Sequence, residues 1–274
     1  MASSVGAALE GALKRDRALV IAALGVLTLS SWLYLWWLAS DMSGPSAMAG
    51  MAGMEGMKMA GPLAAPAFEP WSGADFGFAF SMWAVMMVGM MAPAVAPVIL
   101  IYARVARQAS EQGQPFAAAA WFAAGYFIVW FAFSLIATLM QWLLERAVVL
   151  TPMLASNSDR VGGLILVAAG VYQWTPLKNA CLAACQSPFA FIQRYGGFQG
   201  EPLALLKLGA RHGAYCLGCC WALMALLFVG GVMNLLWIAV ISLVVLLEKA
   251  ALRGVWLSRV VGGVAVLAGV WLLA

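Results

Sequence analysis

The chain has few charged residues, which excludes an ordinary soluble domain. Only 9% of its 274 residues are charged and 65% are hydrophobic, whereas charged residues make up about a quarter of a typical soluble domain. Its 15 lysines and arginines form no basic run, so nothing indicates binding to nucleic acid. The composition predicts an all-α, polytopic helical membrane protein in contact with membrane lipid.

Catalytic patterns are scarce as well. The only histidine is His212, and the chain carries no set of Ser, His and Asp, no glycine-rich phosphate loop and no convincing pair of carboxylates. These are the constellations that acid, base or nucleophilic chemistry requires. We therefore expect a protein that is not an enzyme.

Long apolar runs, by contrast, recur along the chain. Helices of about 20 residues cross the roughly 30 Å hydrocarbon core of a bilayer. Seven candidate stretches are 18–39, 78–101, 117–143, 160–177, 214–230, 234–252 and 256–273. The first is longer than the apolar core of a signal peptide and predicts an uncleaved helix. Gly230 to Asn234 supply a turn between the fifth and sixth stretches. We predict a single membrane domain over 1–274.

The distribution of positive charge predicts the orientation. Cytoplasmic loops of membrane proteins are enriched in Lys and Arg. With the N-terminus inside, twelve of the fifteen basic residues fall on inner segments, and only Lys58, Arg146 and Arg160 lie outside. We predict about seven transmembrane helices, N-in and C-out, in a bacterial inner membrane. Residues 178–213 then form an internal loop that contains a short amphipathic helix.

Methionines crowd the predicted external loop at 41–76, which is otherwise rich in Gly, Ala, Ser and Pro and is expected to be flexible. Met51, Met54 and Met57 recur every three residues. The thioether is a soft ligand that favours Cu(I), and it needs no deprotonation before it binds. These residues are candidate ligands that collect Cu(I) or Ag(I); the alternative is a spacer or a segment that touches lipid.

A second methionine group lies in the second apolar run. Residues four apart share a helix face, and the candidate ligands here are Met86, Met87, Met90 and Met91. Methionine also fills irregular cores, so packing around the Gly89 and Pro93 region is the alternative. The two groups suggest a route from the loop into the bundle.

All five cysteines fall within forty residues: Cys181, Cys185, Cys216, Cys219 and Cys220. Their spacings of three and four gather the thiols of each helix on one side, and two facing sets would close a sulfur site of low coordination number. A thiolate also cancels the charge of Cu(I), which is costly in hydrocarbon. Packing, thiol-disulfide exchange and zinc stay as alternatives, although zinc prefers closed tetrahedral sites.

Two polar positions lie close to the thiols in sequence. His212 precedes Cys216 by four residues and either joins the site or stays solvated beside Arg211. Glu248 and Lys249 end the sixth apolar run, where they form a salt-bridged anchor or a functional intramembrane carboxylate.

Three stretches resemble a known bacterial family: "MMVGMMAPAVAP" at 86–97, "YQWTPLKNACLAAC" at 172–185, and "GAYCLGCCWALM" at 213–224 with "EKAA" at 248–251. The family comprises predicted metal-binding integral membrane proteins of unknown function, related to the tyrosinase-associated copper-supplying membrane protein. The likeness covers roughly residues 75–255. It implies a helical membrane protein that handles copper, with the five cysteines as ligands and the methionines of 86–91 as weaker ones.

The expected function is that of a copper chaperone within the membrane. We predict that Cu(I) passes between the Met-rich loop and the cysteine cluster to supply a copper-dependent oxidase or a periplasmic copper protein. A membrane thiol-disulfide carrier and a non-catalytic assembly subunit of a membrane complex are the alternatives. A ladder of sulfur ligands fits a chaperone and a transporter equally, and it does not fix the direction of transfer.

Overall fold

The protein is helical throughout the part described by the computed structural model, which covers residues 2–42, 71–112, 119–147, 159–198, 200–251 and 253–274. In these ranges the helices are α1 (Ala2–Met42), α2 (Gly73–Glu111), α3 (Ala120–Arg146), α4 (Asp159–Tyr172), α5 (Pro176–Gln186), α6 (Pro188–Arg194), α7 (Pro202–Ala225), α8 (Leu227–Gly230), α9 (Leu235–Ala250) and α10 (Gly254–Leu273). The all-helical class is confirmed over these ranges. Nearly all of the predicted Met-rich loop, including Met51, Met54 and Met57, lies outside them.

Five segments of the described chain are long and apolar enough to cross a membrane: Ala18–Ser40, Gly73–Ala109, Ala120–Arg146, Pro202–Gly230 and Gly254–Leu273. Two further predicted crossings, 160–177 and 234–252, correspond to the shorter helices α4 and α9, with 14 and 16 residues. Helix α4 ends early because the chain turns before Pro176, where the Thr175 hydroxyl caps the next helix. Length and composition therefore identify five crossings among the described residues.

Helix α2 forms the interior wall of the bundle. It continues through Pro93 and Pro97, and its core face buries Trp83, Met87 and Tyr102 completely. The exposed side of the bundle is apolar instead, with large residues such as Leu29 and Trp271 at the surface, as expected for helices that face lipid. The sequence-based prediction that α2 is an interior helix is confirmed.

Helices α3 and α7 approach each other along glycines. A Cβ on Gly125 would collide with the Leu206 carbonyl, and one on Gly209 would collide with the Phe122 carbonyl. Small residues of this kind let membrane helices pack backbone against backbone. Gly209 meets Phe122, and Gly213, four residues later, meets the Tyr126 carbonyl, also four residues later, so α3 and α7 run parallel.

The segment 178–213, predicted as an internal loop with one short amphipathic helix, is mostly helical. It contains most of α5, all of α6 and the first turns of α7. The leucine-rich stretch is therefore not a separate helix, because α7 runs unbroken from Pro202 to Ala225. Gly209 does not break it, since this glycine serves the contact with α3.

The predicted turn after α8 is confirmed. Gly231 has a φ of 92°, a conformation that glycine adopts without steric cost. Asn234 then caps α9, since its side-chain oxygen accepts a hydrogen bond from the Trp237 amide. This sharp reversal sends α9 back along the bundle beside α7.

Candidate metal centre

Helix α7 supplies three of the five thiols from one side. Cys216, Cys219 and Cys220 are buried, each with about 1% of its surface exposed. The thiols of Cys219 and Cys220 both donate hydrogen bonds to the Cys216 carbonyl, at 3.0 Å in each case. The helical spacing of three and four residues thus places the three sulfurs on the face that points into the bundle.

Helix α5 supplies the other two thiols opposite them. Its start is fixed by Pro176 in the first turn and by the Thr175 hydroxyl, which accepts a hydrogen bond from the Lys178 amide. Cys181 and Cys185 follow one turn apart, and the Cys185 Sγ lies 4.0 Å from the Cys219 Sγ. The structure therefore brings the two sequence-predicted cysteine sets together across the α5 and α7 interface.

The separation of these two sulfurs suits a shared soft ion. Metal-thiolate bonds such as Zn–S are about 2.3 Å long, so two sulfurs bound to one ion at a trigonal angle lie about 4 Å apart. The observed 4.0 Å between Cys185 and Cys219 matches this span, and all five cysteines are free thiols. Within the described ranges, no three His, Cys, Asp or Glu side chains are already grouped to hold a metal ion.

A lysine and a tyrosine contact the cluster at Cys216. The Lys249 Nζ donates to the Cys216 Sγ at 2.9 Å and lies 3.8 Å from the Met91 Sδ. The Tyr126 hydroxyl lies 2.9 Å from the same Cys216 sulfur. Helices α2, α3, α5, α7 and α9 all contribute to the surroundings of this sulfur.

The predicted methionine ligands of α2 are completely or almost completely buried. Met86, Met87, Met90 and Met91 belong to the same core as the thiols of α7. Of these, Met91 reaches the cluster through its contact with Lys249. Among the α2 methionines, Met91 therefore lies next to the cysteine cluster. Metal binding by any of these sulfurs stays a prediction.

His212 lies one turn before Cys216 on α7 and is buried, with 2% of its surface exposed. Its ring packs against those of Phe122, Tyr126 and Phe191, with centroids 4.9 to 6.0 Å apart. Its Nδ1 has no hydrogen-bond partner among the described residues. The alternative of a solvated histidine is therefore wrong, and His212 stays a candidate ligand.

The charged residues at the end of α9 point in different directions. Glu248 pairs with Lys178 of α5, with 2.6 Å between Nζ and Oε2, and both side chains are buried. The predicted salt bridge between Glu248 and Lys249 is thus wrong, since Glu248 pairs with Lys178 instead. Adjacent residues of a helix do not face each other. Lys249 turns instead toward the thiols.

The roles of Lys249, Tyr126 and Lys178 near the cluster were not predictable from the cysteine and methionine patterns. A signal existed for Lys249, since a charge within an apolar run marks a functional candidate. Tyr126 offered no such signal, because it is one of 32 aromatic residues in the chain. Its role depends on the close glycine packing that aligns α3 with α7.

Comparison with protein families identifies a match over most of the chain. The family model PpoB2, described as a copper chaperone, matches residues 80–272. No curated protein and no solved structure matches the chain. The match covers every cysteine, His212 and the methionines of α2 from Met82 onward, and it confirms the resemblance to a copper-related membrane family.

Proposed function

Because the chain belongs to this family of copper chaperones, we propose that it binds Cu(I) within the membrane and delivers it to a copper protein. The ion is cargo rather than a resident cofactor. Thiolates and thioethers are the soft ligands that select Cu(I), and the described core holds both kinds of sulfur side by side. The proposal assigns no catalytic step to the chain.

The observation that carries the proposal is the 4.0 Å separation between the Cys185 and Cys219 sulfurs. These two thiols come from different helices, so an ion that binds both would bridge α5 and α7. Cys216, Cys220 and Cys181 lie around the pair and offer further sulfurs for exchange of the ion. His212, one turn away, is a reserve ligand through its unpartnered Nδ1.

We further propose that the methionines form the approach to this site. The thioethers of α2 lie in the same core as the thiols, and Met91 adjoins the Cys216 environment through Lys249. The Met-rich stretch of 41–76 directly precedes α2 in the sequence. Cu(I) would pass from Met51, Met54 and Met57 to Met86, Met87, Met90 and Met91, and then to the cysteines, where thiolates bind it more tightly.

The chain is proposed to cross a bacterial inner membrane about seven times, N-in and C-out. The packing of α4 supports the predicted fourth crossing, because Gly163 lies against Gly269 and Gly170 against Gly262. These contacts place α4 antiparallel to α10 along most of a helix that is itself long enough to cross. Two contacts likewise support α9 as a crossing beside α7. Near the start of α9 the Trp237 indole N–H donates to the Leu226 carbonyl, and near its end Lys249 contacts Cys216.

The partner proposed for delivery is a copper-dependent oxidase or a periplasmic copper protein. A chaperone must release its cargo, and a sulfur cluster with more thiols than one ion needs allows stepwise ligand exchange. The family description supports a copper protein as recipient.

A competitive titration tests the thiol site. Purified protein is titrated with Cu(I) against a chromophoric chelator and compared with Cys185→Ser, Cys219→Ser and the double variant. We expect each single change to weaken binding by about a hundredfold, and the double change to add little, because residues that share one ion are not additive. Met140→Leu, on the exposed face of α3, is the matched control. Equal Cu(I) affinity in the wild type and the double variant would show that Cys185 and Cys219 do not form the binding site.

A membrane thiol-disulfide carrier is the second candidate, favoured by the Lys249 contact with Cys216. A neighbouring cation activates a cysteine by stabilising its thiolate. This alternative predicts that Cys185 and Cys219 switch between alkylatable and oxidised states without copper. Thiols that stay alkylatable across the redox range of the cell exclude it, and cysteine changes without any effect would favour an assembly subunit.

A further inference from the structure

Lys249 is a cation that no described carboxylate neutralises. Its Nζ contacts the Cys216 sulfur at 2.9 Å and the Met91 sulfur at 3.8 Å. The only ion pair described nearby joins Lys178 to Glu248 and does not include Lys249. An uncompensated charge is costly in the low-dielectric interior of a membrane protein, so the negative partner of Lys249 must come from the thiol cluster.

The charge count of the site follows from this contact. Cysteine binds metal as the thiolate, so a Cu(I) ion held by two thiolates carries one net negative charge. The Lys249 ammonium brings the total to zero. A Cu(I) ion held by one thiolate would leave the site with one net positive charge, and three thiolates would leave it with one net negative charge.

We propose that Lys249 is the counter-charge of a two-thiolate site and thereby selects soft monovalent ions, Cu(I) and Ag(I), over divalent ions such as Zn(II). The inference rests on the proposed function, since it deepens the same cysteine site. With two thiolates and Lys249, a divalent ion leaves one net positive charge in the membrane interior. Without Lys249, the balance reverses, because two thiolates neutralise a divalent ion.

The test measures a selectivity ratio rather than a single affinity. Ag(I) and Zn(II) affinities are determined by competition with chromophoric chelators for the wild type, Lys249→Leu and Lys249→Arg. Leucine is apolar, removes the charge of lysine and adds no sulfur ligand, and arginine keeps the charge. We expect Lys249→Leu to lower the ratio of Ag(I) to Zn(II) affinity by about tenfold or more, and Lys249→Arg to hold it near the wild-type value.

Circular dichroism and gel filtration establish whether Lys249→Leu is folded. If it is not folded, Lys249→Gln takes its place. In addition, Ag(I) affinity is measured for four variants of the otherwise wild-type chain, each with a single Cys→Ser change at 185, 216, 219 or 220. A loss of Ag(I) affinity in two of these variants supports a two-thiolate site, whereas a loss in three or more overturns the charge count.

The two proposals fail in different ways. If the wild type binds neither Ag(I) nor Cu(I) through its cysteines, the proposed function fails. If the wild type binds both ions and a folded Lys249→Leu variant has an unchanged ratio of Ag(I) to Zn(II) affinity, only the role of Lys249 is overturned.

Discussion

Cys181 of α5 lies directly over Gly218 of α7, where a Cβ would come within 2.7 Å of the Cys181 Sγ. Gly218 stands between Cys216 and Cys219, at the centre of the cysteine motif. Because Gly218 has no side chain, the Cys181 thiol of α5 can pack directly against the backbone of α7. The approach of the two cysteine sets thus depends on a residue that carries no chemistry of its own.

Replacing Gly218 with alanine should therefore weaken Cu(I) binding by disturbing the contact between α5 and α7. The new methyl group would displace the Cys181 sulfur and push α5 away from α7, which separates Cys185 from Cys219. We expect Cu(I) affinity, measured by chelator competition, to fall about tenfold. Gly77→Ala is the matched control, since a Cβ there meets nothing within 4 Å. Wild-type affinity in Gly218→Ala would show that the close approach is not needed for binding.

Met91 should affect how fast the ion reaches the thiols. Its sulfur adjoins Lys249, which in turn contacts Cys216. Met91→Leu removes the thioether while keeping the volume, and swaps of this kind usually cost less than about 1.5 kcal/mol of stability. We expect loading from a Cu(I) donor, followed by stopped-flow absorbance, to slow severalfold. Met140→Leu serves as the exposed control, and equal rates in the two variants would take Met91 out of the path.

Much of the cysteine geometry was predictable from spacing. Residues three and four apart lie on one side of a helix, so Cys216, Cys219 and Cys220 had to cluster once α7 formed. That Cys181 and Cys185 face them needed only two helices in contact. The helical period, which is local, therefore accounts for the clustering of the thiols.

The surroundings of the thiols were not predictable in the same way. The partner of Glu248 is Lys178, 70 residues away in sequence, and Lys249 faces Cys216 because of how α9 is rotated about its axis. That rotation is set by packing against several helices at once. The continuity of α7 escaped prediction for a similar reason, since it depends on the packing of Gly209 and Gly213 against α3.

The buried pair of Lys178 and Glu248 makes a prediction about stability. Glu248→Met leaves the Lys178 ammonium buried without its carboxylate, and breaking such a pair from one side costs about 3–5 kcal/mol. The double variant Lys178→Met/Glu248→Met removes both charges and should recover most of this loss. The free energy of unfolding in mixed micelles measures both. A single variant as stable as the wild type would mean that Lys178 finds another partner or loses its charge.

We expect the Met-rich stretch to affect how much copper cells load and not the Cu(I) affinity of the cysteine site. Replacing residues 42–59 with a Gly and Ser linker of the same length removes six thioethers and leaves α2 and the cysteines unchanged. Since the proposed thiolate site holds the ion by itself, the purified variant should keep wild-type Cu(I) affinity, while cells that express it should load less copper at low supply. A scrambled segment that keeps the six methionines is the control, because transient collection by thioethers depends on their number more than on their order. Equal copper content in cells for all three proteins would remove this stretch from the path, and weaker binding by the purified linker variant would place its methionines in the binding site itself.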